Sequence, residues 1–190
     1  MNFEDGRLHD IRSISQRGLA IYWARLAKDG QMPAFREFEP GSRIHDPKQL
    51  AMWNVEGISG RPVFRALYRG SLLDEAFNEG WIGRTLDEVT PLKLRPAIVG
   101  GSEECVRTAC AIYMILRTAD GAGHAVDLER LLLPLGHEGR VQQIVASLQL
   151  ISLEGTAERR TAASRFDMQS DCVLAVKIPM NCIVGTQTAP

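Results

Sequence analysis

The sequence has no stretch approaching the ~18 consecutive apolar residues of a membrane-spanning helix, so no membrane association is expected. An excess of one charge is missing too. The 22 basic and 23 acidic side chains leave a formal net charge of -1, with no dense Lys/Arg run. Neither nucleic acid nor an anionic membrane surface is expected as a partner from that balance. Cysteine is scarce: Cys105, Cys110, Cys172 and Cys182 form no C-x-x-C pair, and no histidine stands at zinc-ligand spacing from them. No metal site is expected, and the thiols should be free and mostly buried. The acidic, polar stretch Met1–Gly6 lacks the apolar core of a secretory signal, which makes the cytoplasm the expected compartment. Also absent are a G-x-S-x-G elbow, an H-E-x-x-H helix and a phosphate-binding loop, so the chain is not expected to be an enzyme.

What is present is ordinary globular material. The 190 residues, 45% of them hydrophobic and 24% charged, suit one domain with extensions. That length buries a core without metal or disulfide staples.

Residues 13–30 read as an amphipathic helix capped by Ser13 or Ser15 and ended by Gly30. Leu19, Tyr22, Trp23 and Leu26 fall on one helical stripe. So apolar a stripe must be buried, either on the chain's own sheet or on a second copy. Those four residues are therefore the candidate dimer interface.

Prolines and glycines make the stretch from Met32 to Pro47 connecting chain. Leu50–Glu56 reads as a first strand and Val63–Leu73 as a second, with Phe64, Ala66 and Tyr68 alternating against Arg65, Leu67 and Arg69. Short helices are expected over Asp74–Gly80 and from Thr85 to Val89. A weaker one is expected over Pro91–Cys105, interrupted by Pro96 and Gly100-Gly101. Val106–Thr118 reads as a third strand, with Cys110, Ile112, Met114 and Leu116 on one face and Ala111, Tyr113, Ile115 and Arg117 on the other. Asp120–Gly123 would turn it into a strand over His124–Leu135. A hairpin follows: Leu131–Leu135, a reversal at Gly136-His137-Glu138-Gly139, and an apolar run from Val141 to Ile151. This hairpin is expected to close one edge of the sheet. Beyond Ser152 the chain is polar except for Cys172–Ile178, which fits an added strand.

The order of helix, two strands, a cluster of short helices and three strands resembles the PAS fold. Four stretches are similar to the small single-domain PAS proteins of alphaproteobacteria often called the PAS_5 family. They are Tyr22-Trp23 with Leu26, Gly30 and Met32-Pro33; Phe64-Arg65 through Tyr68 with Gly70-Ser71; Ile82-Gly83-Arg84-Thr85-Leu86; and Leu131–Leu135 with Gly139 and Val141. The resemblance spans residues 17–152. It implies an α+β fold, a five-stranded antiparallel sheet with short helices on one face, preceded by an amphipathic helix. The implied division is a helical extension at 1–30, a PAS-like domain at 31–152 and a tail at 153–190.

The same resemblance implies a bacterial sensory or regulatory module. It would act through dimerisation, partner binding and a small ligand between sheet and helices. Phe64, Arg65, Tyr68, Trp81, Tyr113 and Met114 are the candidate cavity residues, with ordinary core packing as the alternative. His124 and Arg130 rank below Arg65 as polar contacts. Haem is disfavoured because no histidine lies between Asp74 and Cys105. Flavin is disfavoured because Cys105 lacks the Asn-Cys-Arg context of a flavin adduct. A ligand-free interaction adaptor is the other functional reading.

Overall fold

A computed structural model describes residues 1–28, 30–39, 46–57, 60–73, 80–119, 125–152 and 170–183. The elements in chain order are β1 (Glu4–Asp5), α1 (Ile14–Leu26), β2 (Leu50–Glu56), β3 (Val63–Arg69), α2 (Leu86–Val89), α3 (Arg95–Thr108), β4 (Ala111–Ala119), β5 (Ala125–His137), β6 (Arg140–Ser152) and β7 (Asp171–Ile178). The expected turn at Asp120–Gly123, His124, the helix over Asp74–Gly80 apart from Gly80, and the polar stretch from Glu154 up to Ser170 lie outside the described residues.

All seven strands join one sheet in the order β1-β7-β4-β5-β6-β2-β3. Every pairing is antiparallel except that of β1 with β7. Strands β2 to β6 are the expected antiparallel five, with α2 and α3 inserted between β3 and β4. Two further strands, β7 and β1, extend the sheet beyond β4. The fold is α+β, with the short helices on one face of this sheet.

The pairing of β6 with β2 moves the hairpin. β5 and β6 are flanked by β4 and β2, so the hairpin occupies the centre of the sheet and not its closing edge. Its burial explains its composition: from Val126 to Leu135 no described side chain is more than slightly exposed. A strand covered on both faces has no reason to alternate apolar with polar.

The two faces carry separate cores. Ile112, Met114, Leu116, Leu128, Leu132, Ile144 and Ala146 face α2 and α3. Tyr113, Ile115, Leu131, Leu133, Leu135 and Val145 face α1. The alternation expected for β4 is present, although the strand begins only at Ala111. Val106–Thr108 belong to α3, which runs unbroken to Thr108 and stops at Ala109 with φ 51°. Pro96 sits in the first turn, where a missing N–H costs nothing. Gly101 supplies a close approach: a Cβ there would lie 2.5 Å from the Met114 sulfur.

α1 packs on its own sheet. Ser13 caps it, accepting a hydrogen bond from the Gln16 amide at 3.3 Å. Leu19 and Trp23 are buried within the chain, and Trp23 Nε1 donates to the Pro134 carbonyl at 2.7 Å. Buried Gln16 donates through Nε2 to the Ser147 carbonyl at 3.1 Å. Of the stripe, Tyr22 and Leu26 are only half-buried.

Candidate functional site

Between α2, α3 and the sheet lies a pocket, part of it open to solvent. Trp53 of β2, Leu128 and Arg130 of β5, and Ala146 and Leu148 of β6 form its floor. Leu86, Val89, Leu94 and Ile98 form its roof, with Trp81 at one end. The walls are almost wholly apolar, the usual make-up of a small-molecule site. Trp53 and Trp81 face each other with ring centroids 5.7 Å apart, and the Arg69 guanidinium lies 5.0 Å from the Trp81 ring centre. Thr85 fixes the start of the roof helix α2. Its hydroxyl accepts from the Glu88 amide, while the Glu88 carboxylate accepts from Thr85 N–H and hydroxyl.

Arg130 is the exceptional lining residue. It is only 2% exposed, yet it carries a guanidinium. Nη1 donates to the Ile98 carbonyl at 2.6 Å and Nη2 to the Ser102 hydroxyl at 3.0 Å. Ser102 Oγ in turn donates to the Ile98 carbonyl at 3.2 Å, which leaves its lone pairs facing Arg130. Burial pulls the Arg130 pKa down to about 10, still well above neutrality. Cys105 is buried beside it, and desolvation pushes that thiol well above its ordinary value despite the nearby cation. At neutral pH the guanidinium is charged and the thiol is not.

The six expected cavity residues divide. Trp81 lines the pocket; Phe64 and Met114 belong to the same core without lining it. Tyr113 points to the opposite face, where its hydroxyl accepts from the Arg12 amide at 3.2 Å. Burial, with the Glu129 carboxylate beside it, pushes that phenol well above its ordinary pKa. Tyr68 also joins the opposite face, so the alternation expected for β3 breaks. Met52 pairs with Tyr68 and Trp53 with Ala66, which leaves Leu67 as an extra residue in a β-bulge. The bulge turns Tyr68 away from Phe64 and Ala66. Its hydroxyl donates to the Pro47 carbonyl at 3.2 Å. Arg65 is held outside the pocket, bonded to Glu56 at 2.8 and 3.0 Å and to the Gly83 carbonyl at 2.7 Å.

The expectation for the cysteines also needs correction. Only Cys105 is buried; Cys110 is half-buried, and Cys172 and Cys182 are exposed. Among the described residues no cluster of three or more His, Cys, Asp or Glu could hold a metal ion. No helix among them is long and apolar enough to cross a membrane.

No protein-family model matches the chain, and no curated protein matches it. Among solved structures, one similar to it is a single-substitution variant of RsLOV. It is 11% identical with a TM-score of 0.40, over 57% of this chain and 64% of that one. Another is an RNA-binding Light-Oxygen-Voltage receptor. It is 16% identical with a TM-score of 0.38, over 63% of this chain and 33% of that one. The chain thus spans about two thirds of the first and one third of the second. Both carry the light-oxygen-voltage name. That likeness runs against the expectation that flavin is disfavoured, which is corrected here. The physical reason is simple. Without an adduct-forming cysteine a flat ring system can still be held non-covalently between apolar walls, so the setting of Cys105 says nothing against it.

Proposed function

We propose that the chain is a sensory PAS-type module, of the single-domain kind called PAS_5, whose signal is occupancy of the pocket under α2 and α3. The observation that carries this reading is the pocket itself: apolar walls contributed by two helices and three strands, with Arg130 and Thr90 as the buried polar residues among them. A ligand that fills it touches the sheet and the helical roof together. It shifts an equilibrium of the roof by as much as it prefers one arrangement over another. The readout acts in trans, on a second copy or a protein partner. The half-buried Leu26 and the exposed Ile14 are apolar side chains that α1 offers to such a contact.

Native mass spectrometry of the full chain separates this from a ligand-free adaptor. The expected spectrum contains the polypeptide with a small molecule attached, released as collision energy rises. Bare polypeptide at every energy favours the adaptor. An absorbance scan of the same sample reports flavin directly.

A further inference from the structure

We infer that the helical-face pocket takes a small molecule with an apolar body and a single carboxylate, and that Arg130 recognises the carboxylate. This rests on the proposed reading of the pocket as a ligand site and names the ligand's chemical class.

The argument begins with charge. A guanidinium stays protonated in proteins, and a buried one is costly unless an anion is paired with it. Arg130 is buried on the pocket wall, and its two bonded acceptors, a carbonyl and a hydroxyl, are both neutral. Those bonds use two of the five N–H groups that arginine carries and fix the orientation of the fork. They leave the charge uncompensated.

The acidic neighbours along β5 are turned the other way. Asp127 is claimed on the α1 face by Arg117, at 2.8 and 3.0 Å, and by Arg12 at 3.3 Å. Glu129 lies beside Tyr113 on that same face. Among the described residues, no carboxylate is paired with Arg130.

The surroundings then select the anion. Trp53, Trp81, Leu94, Ile98, Leu128 and Leu148 give an apolar body a place to be buried. One fixed positive charge matches one negative charge. A phosphate dianion would bring a second charge into the same apolar walls, where it has no partner. The planar fork also suits the two oxygens of a carboxylate. The pocket therefore offers the two halves of a simple recognition scheme: area for the tail and a fork for the head.

Octanoate and octan-1-ol share a tail and differ in the head group. Calorimetric titration of the full-length protein with each is the test. Wild type should bind octanoate on the order of 10- to 100-fold more tightly than octanol, the worth of a charged hydrogen-bonded contact. Arg130→Met should lose that preference, keep octanol binding within about twofold, and melt no lower than wild type, because it removes an unpaired buried charge. Arg130→Lys, which keeps the charge and loses the fork, should retain a reduced preference. It decides the matter if Arg130→Met does not fold. Equal affinity of wild type for the two probes would overturn the carboxylate assignment while leaving the pocket a ligand site. A preference unchanged in the variants would overturn the role of Arg130. A lower melting point in Arg130→Met would show that the chain supplies its own anion, which also overturns the inference. Binding of neither probe would overturn both the inference and the reading beneath it.

Discussion

Trp23→Ala is expected to lower stability by about 3–5 kcal/mol, the range for deleting a large buried aromatic side chain. That is a large share of the 5–15 kcal/mol that holds a typical domain folded. Trp23 is 0% exposed, at the centre of the core between α1 and the sheet. Its loss leaves a cavity beside Leu133 and Leu135 and strips the buried Pro134 carbonyl of its donor. Trp23→Phe keeps most of the volume and loses only the donor, so its cost should be smaller, about 1–3 kcal/mol. Denaturant unfolding followed by circular dichroism checks both values. If Trp23→Ala unfolded at the wild-type midpoint, α1 would not be part of the folded core.

Gly136→Ala should be comparably damaging, at roughly 3 kcal/mol or more. A Cβ at this position would fall on the backbone carbonyl of Arg140, which belongs to the facing strand and cannot swing aside. Gly136 also donates its N–H to the Pro33 carbonyl at 2.9 Å, tying the hairpin tip to the chain after α1. Glu138→Gly, two residues on, is expected to go the other way. Glu138 has φ 52° and is followed by Gly139 at 73°, the two left-handed residues of a type I′ reversal. Glycine adopts that conformation without steric cost, so the substitution should leave stability unchanged or raise it by up to about 1 kcal/mol. Thermal melts of both variants beside wild type test the contrast. A harmless Gly136→Ala would mean that the hairpin register differs from the one described.

Much of this was legible in the sequence where a local rule acts alone. Leu50–Glu56 is a strand over its full predicted length, Ser13 and Thr85 are caps, and the two faces of β4 divide as its alternation implies. The reversal lies where Gly136 and Gly139 bracket it. Yet only Gly139 is there for its positive φ; Gly136 is there because two backbones meet.

What escaped the sequence depends on partners distant along the chain. The central position of the hairpin follows from β6 pairing with β2, across more than eighty residues of sequence. The face of Tyr68 follows from a bulge, and a single extra residue inverts every side chain beyond it. Arg65 looked the better polar contact because it alternates beside a tyrosine. Glu56 on the adjacent strand holds it instead.

On the sequence alone Arg130 ranks below Arg65 as a polar contact. A usable signal was nonetheless present. Two residues apart along a strand share a face, so Arg130 falls with Leu128 and Leu132, while Asp127 and Glu129 fall together on the other side. A lone cation on an otherwise apolar face is the pattern to look for.

The central claim is that the pocket beneath α2 and α3 receives a ligand. The three tryptophans allow a direct test, because Trp53 and Trp81 line the pocket and Trp23 is buried on the opposite face of the sheet. Fluorine NMR of the full chain labelled with 5-fluorotryptophan, during a titration with octanoate, observes all three together. The resonances of Trp53 and Trp81 should move and saturate while that of Trp23 stays in place. Stationary Trp53 and Trp81 resonances, or a response confined to Trp23, would contradict the claim.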